Sequence, residues 1–250
     1  MLHLKFLLFI FCLSCLSSVS AQTIKVAVAA NFSQPMKALI KSYEEQSSTK
    51  VALITGSSGK LYAQIMHGAP FDLFFSADQD KVDKLETKNK IVPNTQFTYA
   101  QGHLVLWSKQ VNSAPSERLK SGEFNYISIA NPKHAPYGVA AVEYLSATNK
   151  AALKKRIIGE NISQAFQYAY SGSADLGLVA LSQVITLPAK QGVYEHIPAN
   201  LMTPILQDAA LLTSAKDKQS AIDFLLFVKS STGQNIIERF GYSKVLQGED

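Results

Sequence analysis

From Thr23 to Leu85 short apolar runs alternate with amphipathic stretches, and few architectures accept that order. Thr23 to Ala30 and Lys50 to Thr55 read as strands, and Phe71-Asp-Leu-Phe-Phe75 as a buried strand. Phe32, Met36, Leu39, Ile40 and Tyr43 recur at helical spacing with Pro35 in the first turn, and Leu61 to Met66 makes a short helix closed by Gly68. Ser76-Ala-Asp78 then caps a polar helix through Leu85. Strands that alternate with helices build a parallel sheet covered on both faces, with ligands bound beyond the carboxyl ends of the strands.

After a polar loop containing Pro115 the pattern starts afresh. His103 to Ser108, Phe124 to Ala130 and Leu176 to Leu181 read as strands, and Val139 to Leu145 as a helix that follows turns at Asn131-Pro132 and Ala135-Pro-Tyr-Gly138. Lys150 to Ile158 reads as a basic amphipathic helix ending at Gly159, and Ile162 to Tyr170 as a helix capped by Asn161 and stopped at Ser171-Gly172. Pro204 to Thr213 is a further strand, ahead of helices over Gln219 to Lys229 and Thr232 to Phe240. Two lobes follow, linked by strand-like passages near Tyr99 to Leu106 and near Gln207 to Leu212. The expected division is residues 22–101 with 207–250 in the first lobe and 102–206 in the second.

Two strand-to-helix junctions carry the chemistry, one at Asn31 to Pro35 and one at Gly56-Ser-Ser-Gly59. The first N–H groups of a helix have no partner inside it, and the helix dipole favours negative charge there. Two such junctions facing each other hold one small anion. Lys and Arg are scattered over a chain of net charge +5, without the block that marks a nucleic-acid or membrane surface. With 250 residues, 47% of them apolar, two separate cores are within reach.

The start of the chain has a different character. Lys5 precedes the apolar run from Phe6 to Leu16, and Val19-Ser-Ala21 supplies small residues before Gln22. This is the pattern of a signal peptide over residues 1–21, with an uncleaved anchor as the alternative. Cys12 and Cys15 both lie in it, so the mature chain is expected to have no disulfide, thiolate metal site or cysteine nucleophile. An exported chain without disulfides points to a bacterial periplasm. His67, His103, His134 and His196 are not at metal-ligand spacing.

Val28-Ala-Ala-Asn31, Gly56-Ser-Ser-Gly59 with Gln64-Ile65, Gly68-Ala-Pro70, Asp72 to Asp78, Asn131-Pro132, Ala135-Pro-Tyr-Gly138, Glu160-Asn-Ile162, Gly172 to Gly177 and Phe240-Gly-Tyr242 occur in this order. Together they resemble the extracytoplasmic substrate-binding proteins of molybdate transporters, over nearly all of the mature sequence. The resemblance implies an α/β fold of two Rossmann-like lobes joined by a two-strand hinge, a type II periplasmic binding protein that closes on its ligand. It also implies a monomer without enzymatic activity, cofactor or nucleic-acid partner, which captures molybdate and tungstate and delivers them to an ABC permease of the inner membrane. By position, Asn31 stands where the family has a serine or asparagine on the oxyanion, and Ser58 matches the serine of the second motif. Tyr137 and Ile162 fall where the second lobe presents backbone N–H groups, and no protein atom binds the molybdenum directly. The family commonly has a tyrosine after Gly-Ile-Val; here Ala180 follows Gly177-Leu-Val179, and Tyr137 is the candidate to replace the lost hydroxyl.

Molybdate is a dianion whose oxygens only accept hydrogen bonds, so its site needs donors and no carboxylate. An asparagine amide, serine and tyrosine hydroxyls and helix-start N–H groups meet that need without a buried cation to desolvate. Fixed dipoles sized for Mo–O or W–O bonds do not follow the smaller sulfate inward, and protonated phosphate wants an acceptor. Each residue also has a plainer reading: Asn31 as an N-cap, Ser58 as a turn residue, Tyr137 as a ring packed over the hinge, Ile162 as core. Asp72 and Asp78 read as a strand-end carboxylate and a helix cap. The alternatives in function are a binding protein for another oxyanion such as sulfate, or a secreted serine hydrolase using Ser57 or Ser58, although Gly56-Ser-Ser-Gly59 matches neither Gly-x-Ser-x-Gly nor a phosphate-binding loop.

Overall fold

The computed structural model describes residues 23–245, so the signal segment with Cys12, Cys15 and the cleavage point at Ala21 lies outside the described residues. The first lobe opens with β1 (Thr23–Ala29), α1 (Ser33–Glu44), β2 (Lys50–Gly56), α2 (Ser58–Met66), β3 (Leu73–Phe75), α3 (Asp80–Thr87) and β4 (Phe97–Gly102). The second contains β5 (Leu104–Ser108), α4 (Pro115–Ser121), β6 (Ile127–Ala130), α5 (Pro136–Thr148), β7 (Arg156–Gly159), α6 (Ile162–Ser171), β8 (Leu176–Ala180), α7 (Leu181–Val184) and β9 (Val193–His196). The chain then returns through β10 (Ile205–Leu211) and closes with α8 (Gln219–Lys229) and α9 (Ser231–Arg239).

The strands form two five-stranded sheets, ordered β2-β1-β3-β10-β4 and β7-β6-β8-β5-β9. Both are mixed, where strand–helix alternation alone implies parallel pairing. β1 is parallel to β2 and β3, and β6 to β7 and β8, but β10 and β5 run antiparallel to their neighbours. These two are the strands that the chain enters on crossing from one lobe to the other. His103 alone separates β4 from β5, and the second passage runs between His196 and Ile205.

Period-two alternation in β1 and β3 decides which helices cover each face. Val26, Val28 and Phe75 join Phe32, Met36 and Leu39 of the first helical stretch and Phe224 and Val228 of α8. Ala27 and Phe74 face the other way, toward Leu61, Ile65 and Leu85. In the second sheet Leu104 and Leu106 pack with Ile127, Tyr137 and Tyr144, while Val105 and Trp107 face Ala169 and Val179. The aromatic pair Phe32 and Tyr99, with centroids 4.7 Å apart, lies under the start of α1.

Three local expectations are corrected. Lys150 to Ile158 is not one helix: a 3-10 stretch over Lys150–Lys155 gives way to β7, where β-branched Ile157 and Ile158 pair along β6 at a charged sheet edge. Pro115 begins α4 instead of lying in a loop, with Gly122 at φ +78° ending it. Ala135-Pro-Tyr-Gly138 is no separate turn, because Pro136 is already the first residue of α5.

Candidate functional site

The structure brings Asn31, Ser58, Tyr137 and Ile162 to the ground between the lobes, each at the start of a helix or helical turn. Ala29, Ala30 and Ala77 of the first lobe share one apolar cluster with Ala135, Tyr137 and Ile162 of the second. Gly59 N–H donates to His134 O across the gap at 2.9 Å. The carbonyls of Ala30 and Asn31 accept from Ser163 Oγ at 3.3 Å and Ser182 Oγ at 2.9 Å, both on the second lobe. None of the four candidate residues carries a charge.

At each helix start the local chemistry selects which donor stays without an acceptor in its own helix. In α5, Pro136 has no N–H, and Gly138 N–H turns back to Ala135 O at 2.8 Å. Tyr137 N–H is therefore the first donor of that helix. In α6, Asn161 Oδ1 takes Ser163 N–H at 3.0 Å and Gln164 N–H at 3.1 Å, which leaves Ile162 N–H at the tip. The Ile162 side chain points into core, so its apolar character and its donor role are compatible. Gln183 braces this corner by accepting Ala180 N–H at 3.0 Å and donating to Ile162 O at 3.2 Å.

In α2 the two serines differ. Ser58 Oγ accepts Ala77 N–H at 2.9 Å, with both groups buried, and its own proton remains to be donated. Ser57 Oγ is buried, makes no cap bond to the helix, and has no partner among the described residues. A buried hydroxyl in that condition is uncommon and calls for a reason. The plainer reading of Ser58 as a turn residue fails, since it is the first residue of the helix.

Two expected donors are directed elsewhere. Asn31 is not an N-cap but sits inside the 3-10 turn Ala30–Phe32, and its Nδ2 donates to Gln207 Oε1 at 2.7 Å and to Tyr242 Oη at 3.1 Å. With both amide protons so engaged, the donor left on Asn31 is its backbone N–H in the first turn. The Tyr137 hydroxyl does not replace the one absent at Ala180: it turns toward Gln207 Nε2, 3.5 Å away. The plainer reading of Tyr137 as a ring over the hinge thus holds for its side chain.

Sequence reasoning missed the residues behind these. Gln207, fully buried on β10, accepts from Asn31 and lies 2.9 Å from Tyr99 Oη; Tyr242 Oη lies 2.9 Å from Asn31 O and 3.1 Å from Ser182 Oγ. A signal was available, because Gln207-Asp208 interrupts an otherwise apolar run and a bulge falls between the two. Burial raises the phenols: Tyr99 and Tyr137 are held well above the ordinary tyrosine range, and Tyr242 is pushed up to about 12. All three stay protonated and able to donate at neutral pH. Asp72 and Asp78 are structural, the first paired with Lys218 at 2.8 Å, the second with Lys81 at 3.0 Å while accepting Lys81 N–H at 3.1 Å. No cluster of His, Cys, Asp or Glu suited to a metal ion occurs among the described residues.

Residues 24–243 match the family described as bacterial extracellular solute-binding protein. The molybdate-binding protein ModA of Azotobacter vinelandii is 40% identical over 90% of this chain and 91% of its own length. That of Rhodobacter capsulatus is 37% identical over 89% of each. Among solved structures, the periplasmic molybdate-binding protein of Azotobacter vinelandii superposes with a TM-score of 0.84 at 35% identity, covering 89% of this chain and 99% of that one. With a family match over nearly its whole described length and relatives this similar, the chain belongs to the bacterial extracellular solute-binding proteins and groups with their molybdate-binding members.

Proposed function

We propose that the chain captures molybdate, and tungstate with it, between its lobes and delivers the anion to an ABC permease without altering it chemically. The observation that carries this reading is the convergence of four helix starts whose leading N–H groups at Asn31, Ser58, Tyr137 and Ile162 lack acceptors in their own helices. The Ser58 and Ser57 hydroxyls add donors from one side. Every group is neutral, which suits an anion that accepts hydrogen bonds only and spares the ligand-free cleft a buried charge. The names of the similar proteins support the choice of molybdate. Residues 1–21 then serve as the export signal, the working compartment is the periplasm, and the protein acts as a monomer. Its lobes, residues 22–101 with 207–250 and residues 102–206, move as units about the two passages.

Calorimetric titration of the chain from Gln22 with molybdate, tungstate, sulfate and phosphate tests this. One-to-one uptake of molybdate and tungstate, with sulfate and phosphate silent, is the expected result. Equal affinity for sulfate would remove the size argument, and silence toward all four would overturn the assignment.

A further inference from the structure

Gln207 touches both halves of the proposed site from behind. Its Oε1 accepts Asn31 Nδ2 at 2.7 Å and lies 2.9 Å from Tyr99 Oη, and its Nε2 donates to Tyr137 Oη at 3.5 Å. Asn31 belongs to the first lobe, Tyr137 to the second, and Gln207 to the strand that enters the first sheet from the passage between them. The amide is fully buried, so no water competes for these partners. The backbone of β4 leaves room for this arrangement. A Cβ on Gly102 would collide with both Tyr137 Oη and Gln207 Nε2, and Gly102 pairs with Ile205 where β4 meets β10. Its backbone is not left-handed, so space alone requires glycine there.

An apolar side chain of similar volume would fill the same position but leave the buried Asn31 amide without this acceptor. What an amide adds is direction: a short hydrogen bond to Asn31 and a longer one to Tyr137 relate the two side chains across the lobes. The contact also lies beside the passages, where a turn of one lobe against the other displaces atoms least. Contacts at the rim, such as Gly59 with His134, have to part when the cleft opens; one beside the passages is able to persist.

We propose that Gln207 is a positioning residue for the oxyanion site, holding Asn31 and Tyr137 in fixed relation across the hinge, with Gly102 a glycine because their meeting point fills its side-chain space. The proposal rests on the site described above, so the unaltered chain is titrated with molybdate first. Gln207→Met, Tyr137→Phe, their double variant and Gly102→Ala are then compared for molybdate affinity, release rate and melting temperature without ligand. Tyr137→Phe is expected to weaken binding about tenfold, as the loss of one oriented hydrogen bond does, and Gln207→Met, which removes three, by at least as much, and both to speed release. The double variant should lose less than the product of the two, because each removes the same contact. Gly102→Ala should weaken binding without deleting any hydrogen-bonding group. Should Gln207→Met fail to fold, Tyr137→Phe and Gly102→Ala apply the same test. A lower melting temperature with affinity and release unchanged would reduce Gln207 to a packing role and overturn the proposal. If the unaltered chain took up no molybdate, the site itself would fall, and the positioning role with it.

Discussion

Ser57 and Ser58 stand side by side at the start of α2, and the structure gives them separate duties. Ser58→Ala strips Ala77 N–H of its acceptor inside the fold. An unsatisfied buried amide costs about 1–3 kcal/mol, so this variant should lose stability as well as affinity. Ser57→Ala removes a buried hydroxyl that bonds to nothing among the described residues. Because no hydrogen bond is lost, its stability should hold while molybdate affinity falls. Urea unfolding without ligand, paired with titration, separates the two. A Ser57→Ala variant that is destabilised and binds as before would make that hydroxyl structural.

The helices deliver their N-terminal donors because small residues let them lie close to the sheets. A Cβ on Gly177 of β8 would come 2.8 Å from Ala169 Cβ of α6, and one on Gly159 would come 2.5 Å from Ala165 N. Gly177→Val should therefore push α6 outward, cost about 1–3 kcal/mol by overpacking, and weaken anion binding by moving Ile162 N–H; denaturation and titration of that variant check both effects. The same elements show what a sequence can reveal. Asn161 ahead of Ile162 announces a capped helix, and a Gly172 at φ +85° ends it where expected, because capping and termination are local physics. The apolar period likewise marks β1, β2, β8 and β10. Lys150 to Ile158 misleads because its alanines and lysines favour a helix, while the partner that turns Arg156–Gly159 into a strand lies on β6, far away in sequence. The site divides the same way. The helix starts at Ser58 and Ile162 are visible as junctions, whereas the pairing of Asn31 with Gln207 spans 176 positions and appears only once the chain has crossed between lobes and back.

In the whole molecule the two lobes meet through an apolar cluster and a few hydrogen bonds, with carbonyls of Ala30, Asn31 and His134 among the acceptors. The one ion pair described across the rim, Lys60 with Glu160 at 3.0 Å, has both side chains about half exposed and adds little. What the contact region encloses instead is a set of buried phenols, and these set its response to alkali. An unfolded tyrosine gives up its proton near 10, whereas Tyr242 in the fold holds it to about 12, chiefly through burial. Between those values the folded chain binds more protons than the unfolded one, so stability falls as pH rises. The contribution is fully present below about pH 10 and is lost progressively as pH climbs through about 12, at roughly 1.4 kcal/mol per unit. Tyr99 and Tyr137 shift in the same direction and steepen the fall. Melting temperatures followed from neutral to strongly alkaline pH, for the unaltered chain and for Tyr242→Phe, isolate the effect from lysine titration common to both. The variant should start less stable, having lost its bonds to Asn31 and Ser182, and should decline less steeply above about pH 10. Parallel slopes would mean that Tyr242 ionises as readily in the fold as outside it, and that the hinge is open to water.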